Sequence, residues 1–382
     1  MESSTWYPIV VWSENIFFLL ILCAVSYLFI FAIFSFKKQK VRFKETRKRY
    51  RFLILLTAHD INDLVYESLH SFYDQDFPDV NYDIAVVSKH ISDNAGRIFK
   101  DSPVMLIKRP KDGHFRCQSM DFALKQIDSD YDVVVIMKAG NTVKPNFLEE
   151  INKAYHSGGM AIQTHCVKKD MKSNTAILNA LSEEINNSIF RRGHVNLGFS
   201  SGLTGSGMAF NYNWFRKNIG KVRKNGLTKQ LETLLLKQGI FIEYLEHLYT
   251  YEVKNSNHSD SSRHRHYWYS NMFSSLVRVI GDLPKAFFAG NFDYCDKIIQ
   301  WIIPSRFLLL FLICVFAVGL FLVDWVLSIK WFGLLFFIIM VFDLAIPQKF
   351  RNWRTFFALF SLPILTFLNL FNIFRIRNRK KK

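Results

Sequence analysis

The residues of this chain that could do chemistry gather where short apolar runs give out. FLILLT (52–57) ends in Thr57, with Asp60 just beyond; DIAVVS (83–88) is followed by Lys89 and then Asp93; DVVVIM (132–137) is followed by Lys138, Ala139 and Gly140. A carboxylate at such a place can hold a divalent cation or take a proton from a hydroxyl, whereas an ammonium group suits an anion. Asp128, Asp130 and Asp132 precede or begin their strand and so lie at the wrong end of a sheet. The glycine-rich LTGSGMAF (203–210), with Gly205, Ser206 and Gly207, has the composition of a packing turn. His258, His264 and His266 lie near Arg263 and Arg265, and an H-x-H spacing can ligate metal. No carboxylate or cysteine completes that set, so a polar segment at a membrane surface is the simpler reading.

These groups need a scaffold. Six apolar runs (52–57, 83–88, 104–109, 132–137, 161–165 and 240–245) alternate with helical patterns, which predicts an α/β domain on a mostly parallel sheet. Ligands of such sheets bind beyond the carboxyl ends of the strands, so the residues after Thr57, Ser88 and Met137 are expected to line the cleft. Membrane attachment is also expected. Residues 16–36 are 21 positions without a charge, enough to cross a hydrocarbon core of about 30 Å, and the acidic N-terminal stretch with no small-residue cleavage site argues against a signal peptide. The next segment, 37–51, holds nine basic residues and one acid, which places it and the main domain in the cytoplasm. Residues 307–323 and 331–346, parted by a polar break at 324–330, read as a transmembrane hairpin, and 355–374 as an interfacial helix broken near Pro363.

Charge excludes one large class. Of the formal +17, +8 belongs to 37–51 and +6 to 375–382, which leaves about +3 for the folded body, without the basic face that nucleic acid needs. Charge beside the spans orients the chain and attracts anionic membrane lipid. The five cysteines contain no C-x-x-C pair and imply neither a disulfide framework nor a zinc site.

Four longer motifs carry a resemblance: NTVKPNFLEEIN (141–152), AIQTH (161–165), SEEINNSIFRRGHVNLGFSSGLTGSGMAF (182–210) and GNFDYCDKIIQWIIPSR (290–306). Over residues 52–306 the chain resembles the bacterial membrane-bound family 2 glycosyltransferases, which are related to cellulose and hyaluronan synthases. The resemblance implies an α/β nucleotide-diphospho-sugar transferase fold of type A with transmembrane helices. It divides the chain into an anchor (1–36), a basic juxtamembrane segment (37–51), a cytoplasmic domain (52–262), an amphipathic interfacial segment (263–306), a hairpin (307–347) and an interfacial helix with a basic tail (348–382). It also implies a chemistry. Magnesium or manganese, held by a D-x-D aspartate pair, stabilises the leaving diphosphate, and a carboxylate base deprotonates the acceptor hydroxyl. An aspartate after the second strand binds the nucleoside, a Q-x-x-R-W segment grips donor and acceptor, and the segment matching Gly205, Ser206 and Gly207 supports the acceptor side.

This chain departs from that pattern at almost every polar position. The Asn-Glu after the first strand aligns with Asp60 and Ile61; the nucleoside aspartate aligns with Lys89, although Asp93 keeps the second acid. The metal pair aligns with Lys138 and Gly140, and the base with Lys229 and Gln230. Q-x-x-R-W aligns with 262–266, where Arg263 and Arg265 stand without Gln or Trp. Nearby Glu232 reads as a solvated helix residue, and Glu183 and Glu184 as structural. No cofactor is therefore expected, the metal site being lost. The resemblance implies a catalytically impaired partner or scaffold for an active glycosyltransferase of surface polysaccharide synthesis, multi-pass in the bacterial inner membrane. The alternative is a metal-independent transferase moving a sugar from a nucleotide-sugar to a lipid-linked or polysaccharide acceptor. Lys89, Lys138 and Lys229 either turn the cleft cationic, suited to a nucleotide diphosphate or lipid phosphate, or have drifted into solvent. Restoring Lys138→Asp, Gly140→Asp and Lys229→Glu together is expected to recover metal binding if the cleft is otherwise intact.

Overall fold

The computed structural model describes residues 6–37, 43–91, 104–109, 116–223, 226–252 and 275–359. Asp93, Arg263, Arg265 and the three histidines near them lie outside the described residues, as does the tail from 360 onward.

Among the described residues eight strands build the domain: β1 (Phe52–Thr57), β2 (Tyr82–Ser88), β3 (Val104–Lys108), β4 (Val133–Lys138), β5 (Asn141–Val143), β6 (Ala161–Lys168), β7 (Met208–Asn211) and β8 (Ile242–Glu252). They form one sheet in the order β3-β2-β1-β4-β7-β6-β8-β5. The half from β3 to β4 is parallel, as the sequence predicts. The other half is mixed, because β7 runs antiparallel to both β4 and β6, and β5 antiparallel to β8. β5 and β7 escape sequence reading because strands of three and four residues are too short to show a period-2 pattern.

Alternation along β1 explains the two-sided core. Phe52, Ile54 and Leu56 pack on one face with Val65, Leu69 and Phe72 of α2 (Asp63–Tyr73). Leu53 and Leu55 pack on the other with Met120 and Leu124 of α3 (Arg116–Gln126). α4 (Phe147–His156) joins the first face. β4 ends at Lys138 and β5 begins at Asn141, and three Cα steps span at most about 11 Å. β4 and β5 nevertheless hold the fourth and the last place in the sheet order, so the sheet curls until these ends meet. The curl brings the end of β4 beside the start of β5, at the edge strand of the sheet.

Among the described residues two helices are long and apolar enough to cross a membrane: Val11–Phe34 within α1 (Trp6–Phe34), and Trp325–Ala345. Leu308–Phe321 is apolar but shorter. The helix at Trp325–Ala345 takes in residues that sequence reading assigned to a polar break at 324–330; Asp324 caps it by accepting from Val326 N at 3.0 Å, so the true break is only 322–324. α5 (Asn174–Asn186) continues into a π-helical turn, Asn187–Gly193, against which α1 packs. In the stretch expected to be amphipathic, Phe292–Ile302 packs Tyr294, Cys295, Ile298 and Trp301 onto Leu236 of the domain and leaves Phe292, Ile299 and Ile302 exposed.

Candidate active-site cleft

β1 and β4 lie in register at Thr57 and Lys138, so both side chains start from the same rim. Thr57 Oγ1 donates to Met137 O at 3.2 Å and accepts from Arg116 Nε at 2.7 Å. Arg116, the first residue of α3, also donates through Nη2 to Met137 O at 3.0 Å and through Nη1 to Gly205 O. A Cβ built on Gly205 would lie 3.4 Å from Arg116 Nη1, 3.4 Å from Thr228 Cγ2 and 3.6 Å from Lys138 Cε. The two cations therefore converge on this glycine, whose φ of 93° and missing side chain leave them room. Ser206 ties the glycine turn to the strand end, its Oγ accepting from Lys138 N at 3.1 Å and from Asn141 Nδ2 at 2.9 Å. At Gly207 any Cβ would collide with the hydroxyls of Thr164 and Thr250. The glycine-rich turn is thus part of the cleft as well as a packing device.

The electrostatics are those of an anion site. Burial pushes the Arg116 guanidinium down to about 9, still charged at neutral pH. Crowding by protein, and then Arg116, push the Lys138 ammonium down as well, although solvent reaches it. Glu252 acts against this, but it also stands 3.9 Å from Lys168. A divalent cation does not fit here: two fixed positive groups would repel it, and no cluster of three His, Cys, Asp or Glu capable of holding a metal occurs among the described residues.

α6 (Leu227–Lys237) brings Lys229 and Gln230 to the same side through Thr228. Glu232 does not behave as the sequence suggests, and Lys229 does not follow the second of its two readings. Glu232 is fully buried, not solvated: its Oε1 accepts from Leu203 N at 2.7 Å and its Oε2 meets Lys229 Nζ at 3.1 Å. Lys229 is correspondingly not adrift in solvent; burial pushes its pKa down, Glu232 holds it up, and its ammonium lies 5.0 Å from the Trp301 ring. Gln230 Oε1 accepts from Arg223 N at 2.8 Å, a structural role. Asp60 and Lys89 sit at the neighbouring strand ends. Asp60 is exposed and paired with His59 at 2.7 Å, a hydrogen bond that lowers its pKa, and Lys89 donates its backbone N–H to His59 O at 3.1 Å.

The backbone also counts against the expected rescue of metal binding. Gly140 has φ 83°, and its N–H donates to Leu64 O at 3.1 Å and to Ser68 Oγ at 3.0 Å, so an aspartate there would be strained. Lys229→Glu would set a second carboxylate against buried Glu232. Glu183 and Glu184 are structural, as read: Glu183 pairs with Arg191 at 3.0 Å and Glu184 with His165 at 3.1 Å and Lys349 at 2.6 Å. Burial pushes Glu184 up, but these two partners prevail and hold it at about 2. Arg116 went unnoticed in the sequence. The contacts that place it, to Thr57, Met137 and Gly205, come from far along the chain and leave no local signal.

Comparison with solved structures then decides the architecture. The mannosyltransferase PcManGT from Pyrobaculum calidifontis, solved with GDP-Man and Mn2+, superposes with a TM-score of 0.54 at 15% identity over 87% of this chain and 96% of its own. The fold is that of a nucleotide-sugar glycosyltransferase. S. aureus TarS, residues 1–349, matches at a TM-score of 0.45 and 12% identity over 78% of this chain and 82% of that one. No family model and no curated protein matches the chain by sequence. The glycosyltransferase fold accounts for the curled sheet and for a cleft at the carboxyl ends of β1 and β4.

Proposed function

We propose that this chain is a membrane-anchored, glycosyltransferase-fold protein without sugar-transfer activity of its own, acting as partner or scaffold for an active transferase of surface polysaccharide synthesis. Lys138 and Arg116 converging at the end of β4 carry this reading, because they occupy the place where the family 2 resemblance puts metal-binding carboxylates. Glu232 adds support: both its oxygens are engaged, one by the ammonium of Lys229, so it is not free to take a proton from an acceptor. α1 and the Trp325–Ala345 helix support membrane anchoring by length and composition, and the basic segment 37–51 favours a cytoplasmic domain.

The cleft is suited to the diphosphate of a nucleotide held without metal. The full chain in detergent should bind uridine diphosphate or guanosine diphosphate with equal affinity in manganese and in chelator, and should hydrolyse neither UDP-sugars nor GDP-mannose. Sugar transfer or donor hydrolysis by the purified chain alone would overturn the partner reading. It would favour instead a metal-independent transferase in which Lys138 and Arg116 stabilise the leaving diphosphate.

A further inference from the structure

A cavity of about 480 Å³ lies away from this cleft, where the two long apolar helices meet the globular domain. One part of its wall is apolar and comes from the ends of those helices: Phe36 just after α1, and Leu344 and Ile346 at the end of Trp325–Ala345. The other part is polar and comes from the domain, with Tyr244 on β8 and Arg192 on the π-helical turn. Two residues of this wall each hold a buried donor that lacks an acceptor. Tyr244 is 1% exposed and its hydroxyl has no partner, and neither does Arg192 Nε. The other Arg192 nitrogens are occupied, by Glu246 and by Ser188 Oγ at 3.3 Å.

Buried donors are costly when unsatisfied. Glu184 and Glu246 already neutralise Lys349 and Arg192, so the two free donors, more than net charge, define what fits: a group presenting acceptor oxygens. The apolar wall adds a second requirement, because it continues the surface of helices suited to a bilayer. A phosphate ester joined to acyl chains satisfies both.

We propose that this cavity binds the headgroup of a membrane phospholipid, its phosphate oxygens accepting from Tyr244 and Arg192 and its chains lying along Phe36, Leu344 and Ile346. The proposal rests on the membrane reading above. It makes the cavity a lipid clamp between anchor and domain, separate from the nucleotide cleft.

Titration of the full chain in neutral detergent with a short-chain phosphatidylglycerol, and with glycerophosphoglycerol carrying the same phosphate without chains, tests it. The lipid should bind, and the deacylated compound at least about tenfold more weakly. Tyr244→Phe combined with Arg192→Lys, which keeps charge and bulk, should weaken lipid binding about tenfold or more. Leu344→Trp, which fills the apolar side, should also weaken it with the donors intact. Equal binding of glycerophosphoglycerol, or unchanged lipid affinity in both variants, overturns the proposal. Cell fractionation separates the two failures: a chain that sediments with membranes yet binds no lipid here loses only the clamp, whereas a chain recovered free of membranes loses the anchor as well.

Discussion

Lys138 is the residue on which the functional reading turns, and its protonation can be tested directly. An anion favours the charged form, so nucleotide diphosphate binding should be full while Lys138 is protonated and should weaken as pH rises through its pKa. Crowding and Arg116 place that pKa below the ordinary lysine value of 10.5. Titrations across a pH series should show this loss beginning earlier than for an exposed lysine, and Lys138→Gln should remove that lysine's share of the loss and lower the affinity about tenfold. A second expectation concerns Glu232, whose removal strands a partly buried ammonium. Glu232→Ala should cost about 3 kcal/mol, and with Lys229→Ala the double variant should lose less than the sum of the two singles. Thermal unfolding of the four proteins measures both effects. Lys138 was legible in the sequence because it ends a strongly apolar strand. Glu232 was not: surface exposure is the usual state of glutamate, and only the tertiary approach of Leu203 shows that this one is buried.

At the scale of elements, what the sequence disclosed depended on length. β1, β2 and β4 are six or seven residues of nearly unbroken apolar character, and all were foreseen within a residue of their observed ends. β5 and β7 owe their existence to partners far along the chain, Tyr251 opposite Thr142 and Ala209 opposite both Val135 and Ile162, and local pattern cannot report such pairings. The π-helical turn Asn187–Gly193 is likewise tertiary in origin. It lets Gly193 press against the backbone of α1, where a methyl group would overlap the Phe31 carbonyl oxygen, while Phe31 stacks on His194 with ring centroids 3.6 Å apart. The backbone at Gly193 is ordinary helix, so alanine would be tolerated but for that contact. Gly193→Ala should therefore destabilise the protein by about 1–3 kcal/mol and loosen α1 from the domain. A lowered thermal midpoint with faster proteolysis after residue 37 would record it; a midpoint unchanged from the parent would count against close packing at this point.

Over the whole molecule, the apolar helices and the charge distribution give one consistent orientation. α1 and Trp325–Ala345 run in the same sense, because Glu14 and Asn15 near the start of one meet Lys330 near the start of the other, at 2.6 Å for Asn15, while Phe36 and Leu344 share a cavity at the opposite end. Lys37, Lys349 and Arg351 all lie at that second end, beside the globular domain. Under the proposed membrane anchoring the basic end faces the cytoplasm, and the short link at 322–324, with Leu322 and Val323 80% and 86% exposed, faces out. In a background free of native cysteines, Val323→Cys should react with an impermeant thiol reagent added to intact cells, and Gln348→Cys should react only after lysis. The reverse labelling would invert the chain and put the proposed nucleotide site on the side without cytoplasmic nucleotides. Labelling of both positions in intact cells would mean that these helices do not span, and Lys330 would then be satisfying Glu14 at an ordinary protein surface.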